Sequence, residues 1–212
     1  MAGWSDLDGE LERWSQAGLV ATMWWRDDDA ADLTPEIERL LGLAAAYRIP
    51  LHLAAIPRDL TDALAAAMEG VGEARILQHG YAHVDHAPKG EGSWELGAHR
   101  PQGQVLDELA LGAARLRGAF GSRFLPVLVP PWTRIEFSLV RHLPDVGFRA
   151  LSMEGARLQR FAAPGVMALN AHCDPIRWKS GARFTGTERA LDEIVGHLAA
   201  RRQGGADRKS VV

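Results

Sequence analysis

Ala74-Arg75-Ile76-Leu77-Gln78-His79-Gly80-Tyr81-Ala82-His83 is a short, largely apolar run that leads straight into two histidines four residues apart. A second run, Leu19-Val20-Ala21-Thr22-Met23-Trp24-Trp25, leads in the same way into Arg26 and three consecutive carboxylates, Asp27, Asp28 and Asp29. Each run has strand length, and α/β folds gather the loops at the carboxyl ends of their strands. Groups far apart in sequence, such as Asp29 and His79, can therefore meet. One aspartate with two histidines suits a divalent ion and leaves a coordination position open for water, the outline of a hydrolytic metal site.

Outward from these two runs, apolar segments alternate with helical patterns. An N-terminal helix is expected over 7–16 and a first strand over 19–25. Thr34-Pro35-Glu36 has the form of an N-cap, a proline at the first helical position and an acid in the first turn, opening a helix to Tyr47. Further strands are expected over 50–56, 74–78, 124–129, 148–152 and 166–170, with helices over 60–68, 104–120, 136–143 and 187–201. Residues 88–101, rich in Gly, Pro and charge, have the character of a long surface loop beside the site. About six strand-helix units with right-handed crossovers give an α/β chain, with a curved sheet or an incomplete barrel. No repeat or linker is evident, so one domain over 1–212 is expected.

The 212 residues are 47% apolar and 24% charged, which suits a globular domain with a substantial core, and the net charge is −3. Neither nucleic acid nor an anionic membrane is an expected partner for that charge. Cys173 is the single cysteine, so no internal disulfide forms and a reducing compartment is compatible. Without a signal-like N-terminus or a spanning apolar stretch, a cytoplasmic location is expected.

The same residues resemble the polysaccharide deacetylases, the NodB-like or family 4 type of carbohydrate esterase. The family's Thr-Phe-Asp-Asp-Gly is similar to Arg26-Asp27-Asp28-Asp29-Ala30, and its His-Ser/Thr-x-x-His to His79-Gly80-Tyr81-Ala82-His83. Its Arg-x-Pro-Tyr is echoed by Val129-Pro130-Pro131-Trp132, and its Asp-x-x-Asp-Trp loosely by Asp174-Pro175-Ile176-Arg177-Trp178. The order and spacing match over residues 19–178.

The resemblance implies a deformed (β/α) barrel and removal of an acyl group, usually acetyl, from an amide nitrogen, usually on an amino sugar. It implies a divalent metal, zinc above others, held by Asp29, His79 and His83, with Asp28 as general base. The triplet also permits a register one residue earlier, with Asp27 as base and Asp28 as ligand. Arg26 or Arg134 could pair with the base through a charge-assisted bond. A backbone N–H near Trp132, after Pro131, could face the oxyanion, because Pro131 has no N–H of its own. Pro131, Trp132, Asp174 and Trp178 are the substrate-binding candidates.

Two departures matter. Val129 stands where the third motif has Arg, and the late strand that carries the family's general-acid His is not found. Either the C-terminus is truncated or frameshifted, or His172 takes the acid role. His52 is expected in the core, and His99, His142 and His197 in solvent. Two other functions remain open on these residues: hydrolysis of a small non-sugar amide, and a degenerate, non-catalytic carbohydrate-binding protein.

Overall fold

The computed structural model describes residues 2–178 and 181–204. In chain order they form α1 (Trp4–Gln16), β1 (Trp25–Ala30), α2 (Pro35–Tyr47), β2 (Leu51–Ala55), α3 (Asp62–Glu69), β3 (Ala74–His79), α4 (Gln102–Phe120) and β4 (Phe124–Val129). There follow α5 (Phe137–Val140), β5 (Ala150–Leu151), β6 (Phe161–Ala163), β7 (Val166–Ala168), β8 (Ile176–Arg177), β9 (Arg183–Phe184) and α6 (Thr187–Arg202). Two compact units share the chain. The larger comprises 24–153 and 161–168, the smaller 1–23, 154–160 and 169 onward. Among the described residues no helix is long and apolar enough to cross a membrane. The tail that raised the question of truncation, residues 205–212, lies outside the described residues.

The larger unit is a seven-stranded sheet in the order β1-β2-β3-β4-β5-β7-β6, parallel except for β6, which runs antiparallel to β7. The strands β1 and β6 are its edges, so the sheet is open. It is also strongly curved. Arg26 on edge strand β1 donates from Nη1 to Oγ of Ser152, which follows β5, although three strands lie between them in the sheet (2.7 Å). That is the expected deformed, incomplete barrel.

Local chemistry explains the elements on either side of the sheet. Thr34 caps α2 by accepting from Ile37 N–H, with Pro35 in the first turn, and Thr61 caps α3 by accepting from Leu64 N–H. On α4, Val105, Leu109, Gly112, Ala113, Leu116 and Phe120 form a buried stripe at helical spacing. All but Gly112 belong, with Leu51, Leu53, Ile76, Leu128 and Phe148, to one apolar core.

Gly112 lets α4 approach β3. A Cβ there would stand 2.5 Å from Gln78 Nε2 and 2.8 Å from Pro57 Cγ, whereas one on Gly103, in the same helix, would meet nothing within 4 Å. A Gly→Ala change in a helix ordinarily stabilises by about 0.5–1 kcal/mol. Gly103→Ala is therefore expected to raise the melting temperature and Gly112→Ala to lower it. Thermal denaturation of the two variants checks the opposite signs.

Three expectations about elements and loops change. The first strand is not 19–25: Leu19, Val20 and Met23 are exposed, and pairing begins at Trp25, opposite Leu51, so the three aspartates lie in the strand rather than after it. An edge strand tolerates such residues because one side makes no ladder bonds. The helix expected over 136–143 is a four-residue helix followed by a 3-10 turn at Leu143–Val146; Leu143, preceding Pro144, is disfavoured in a helix. The 88–101 segment is not wholly on the surface, since Glu95, Leu96 and Gly97 are buried and Leu96 bridges to Ile135. The strands β6, β8 and β9 have only two or three residues, too few for a periodic signal.

In the smaller unit α1 packs on α6. Trp14 Nε1 donates to Leu198 O (3.1 Å), Arg201 lies 5.2 Å over the Trp14 ring, and buried Glu10 accepts from Arg13 and Arg202. His172 stacks on His197 with ring centroids 3.8 Å apart. His197 is thus half-buried against another ring rather than solvated, and it lies one helical turn before buried Arg201 on α6.

Candidate metal centre

Asp29 owes its direction to a break in β1. The register with β2 shifts between Asp27 and Ala30, and Asp29 takes φ +68°, a left-handed conformation that Asp tolerates better than most residues. Such a bulge re-aims a side chain. Asp29 Oδ1 lies 3.0 Å from His79 Nε2 and 3.2 Å from His83 Nε2. The hydrogen bond from His79 holds the Asp29 carboxyl below its ordinary range against the opposing effect of burial.

His79 ends β3 and is buried, and its Nδ1 lies 3.0 Å from Val129 O at the end of β4. A carbonyl can only accept, so Nδ1 carries the hydrogen. In a neutral ring Nε2 is then bare and faces the Asp29 oxygen as acceptor to acceptor. A positive charge between them, proton or metal ion, resolves that encounter. One ligand atom each from Asp29, His79 and His83 lie within 4.8 Å of one another, and the carboxylate and two imidazoles fit a divalent ion of the zinc type. The Nδ1–H bond to Val129 O is the usual orienting support for such a ligand.

Asp28 has a different partner. Arg26 Nη2 donates to its Oδ2 (3.0 Å), Arg26 Nε lies 2.9 Å from its Oδ1, and Ser152 steadies the guanidinium from beyond β5. Of the two arginines considered for this pairing, Arg26 makes it; Arg134 instead donates to Ser93 O and lies over the Trp94 ring. Val129, in place of the third motif's Arg, contributes its carbonyl, which also accepts from Gly80 N–H (3.2 Å).

Asp27 is the third carboxylate, and burial followed by the charges of Asp28 and Asp29 pushes its pKa up to about 6. A pKa raised on folding gives stability that is complete below about pH 3.8 and is lost as pH rises through 6. In chelated protein, Asp27→Asn is expected to stabilise by roughly 2 kcal/mol at pH 8 and hardly at all near pH 3.5. Urea unfolding at the two pH values checks this.

Trp132 stands beside the pair of rings, 4.3 Å from the His83 ring and 37% exposed, and Pro131 is buried next to Gly80. Backbone strain gathers here. Asp29, His83, Trp132 and Thr133 account for four of the five non-glycine residues with positive φ among the described residues, the fifth being Arg48 at the end of α2. Such conformations persist where the surrounding structure imposes them, commonly at functional sites.

The sequence-derived candidates divide between the units. Arg26, Asp28, Asp29, His79, His83, Pro131 and Trp132 belong to the larger; His172, Asp174 and Trp178 belong to the smaller, where Trp178 Nε1 donates to Asp174 Oδ2 (2.8 Å). Sequence reasoning missed Ser152 and Glu95. Ser152 carried no signal beyond ending an expected strand. Glu95 did carry one, as an acid between Trp94 and Leu96 in an otherwise Gly-rich, polar segment.

No protein-family model matches the sequence, and no curated protein matches it. Solved structures do. IcaB from Ammonifex degensii is 14% identical with a TM-score of 0.58, covering 90% of this chain and 86% of that one. A Mycobacterium smegmatis protein ascribed to the polysaccharide deacetylases is 18% identical with a TM-score of 0.54; the match covers 80% of this chain but only 60% of that protein's length. A family 4 carbohydrate esterase from Streptomyces lividans, solved with acetate, is 14% identical with a TM-score of 0.51, covering 86% and 90%. The fold of this chain is that of the polysaccharide deacetylases and family 4 carbohydrate esterases.

Proposed function

We propose that this chain is a metal-dependent hydrolase that removes an acyl group, acetyl in the first instance, from an amide nitrogen on an amino sugar or polysaccharide. One observation carries the reading: Asp29, His79 and His83 converge, with the Arg26–Asp28 pair on the same strand. The shared fold with deacetylases supports it.

When bound, a divalent ion supplies Lewis-acid polarisation of an acyl oxygen and a water of lowered pKa. Asp29, His79 and His83 hold it. Asp28, steadied by Arg26, accepts the proton of the attacking water. The Trp132 N–H donates to the oxygen that gains charge as water adds to the carbonyl. The C–N bond then breaks, the amine leaves with a proton and acetate remains. The exposed Trp132 face suits stacking on a pyranose ring.

We assign the leaving-group proton to His172, as a substitute for the late-strand His that is not found, and sugar contacts to Asp174 and Trp178 on the fourth motif's resemblance. His172→Ala is expected to lower kcat by about 10²-fold or more; unchanged kcat removes His172 from the mechanism. The function itself is tested by acetate release from N-acetylated sugar oligomers with zinc, cobalt or manganese. Metal-dependent acetate is expected. Metal-loaded protein that releases none from any such sugar contradicts the substrate assignment.

A further inference from the structure

Glu95 has no part in the reaction just outlined, yet it is 0% exposed. Its Oε1 accepts the backbone N–H groups of Tyr81 (3.1 Å) and Ala82 (2.6 Å), the two residues between Gly80 and His83. Its Oε2 is buried and has no hydrogen-bond partner among the described residues. That oxygen is packed against Gly80, where a Cβ would lie 1.9 Å from it. A buried carboxylate with one free oxygen is expensive to keep unless its bonds fix something that matters.

The segment bearing Glu95 is itself pinned. Trp94 N–H donates to Asp85 Oδ1 (2.9 Å), His86 N–H to Trp94 O (2.8 Å), and Glu136 N–H to Leu96 O (2.8 Å). The turn it grips is also held from beneath, since Gly80 N–H donates to Val129 O and Gln78 Nε2 donates to Gly80 O (2.9 Å). These holds place the two histidines unequally. His79 is fixed by its own strand and by Val129 O, whereas His83 lies beyond the turn at φ +52°. Relaxing 80–82 would move His83 and leave His79 in place.

We propose that Glu95 is a positioning residue for His83: its carboxylate locks the Tyr81 and Ala82 amides so that both imidazoles present Nε2 to Asp29. The inference rests on the metal-centre reading above. It also gives Gly80 a reason, because only a residue without Cβ fits against that carboxylate in a left-handed turn (φ +55°).

Zinc affinity of the full chain, measured by competition with a chromophoric chelator, tests it alongside thermal unfolding of the metal-free protein. Glu95→Ala is expected to weaken zinc binding by about 10–100-fold, the usual effect of removing an outer support of a ligand. Glu95→Gln, which keeps an acceptor at Oε1, is expected to stay within about threefold of the parent, on the same scale. Should Glu95→Ala fail to fold, Glu95→Asp, one methylene short of the two amides, is expected to show the same loss. A truncated variant that melts lower but binds zinc as the parent does would reduce Glu95 to scaffolding and overturn the proposal; so would a Glu95→Gln as weak as Glu95→Ala. If the parent itself binds no zinc, the metal-centre reading fails first, and the two failures are told apart by that control.

Discussion

Asp28→Asn is expected to bind zinc as tightly as the parent and to release acetate about 10²–10⁴-fold more slowly, the range that a positioned general base supplies. The separation of effects follows from how β1 divides its acids. Asp29, turned by the bulge, faces the two imidazoles, while Asp28 is engaged by Arg26. Asparagine keeps the size and one acceptor oxygen for the Arg26 contact but cannot take a proton from water. Parallel measurements of zinc affinity and kcat check the separation. An Asp28→Asn enzyme with full kcat would move the base to Asp27.

Asp29→Ala and His83→Ala are each expected to abolish metal binding in the working range, with a loss of more than about 10²-fold, since removing even an outer-shell support costs 10–100-fold. Only three protein ligands are proposed, so losing one leaves two. Both residues are at least partly exposed, so their removal opens no apolar cavity. The same change at His79 would be harder to interpret, because that ring is buried and bonded to Val129 O. Equilibrium dialysis against zinc, with melting curves to show that the variants are folded, checks the expectation.

The sequence shows the parts of this molecule that follow from periodicity and capping. The Thr34-Pro35-Glu36 cap, the buried stripe of α4 and the strand at Phe124–Val129 are local signals, and the structure has each of them. That one of the three aspartates meets His79 and His83 was legible from residue type and strand order. What was not legible depends on distant partners. Trp25 becomes the start of β1 because it pairs with Leu51, while the more apolar stretch before it stays exposed. The bulge that selects Asp29 from three identical acids is a register defect with no sequence mark. Arg26 meets Ser152 only because the sheet curves, and Glu95 becomes buried only because its loop folds against the histidine turn.

The most direct test is an anomalous-scattering map at the zinc edge from crystals of zinc-loaded protein. One strong peak within bonding distance of an Asp29 carboxylate oxygen and of Nε2 of both His79 and His83 is the predicted result. A peak at other residues, or none at these three in protein shown to contain zinc, would contradict it.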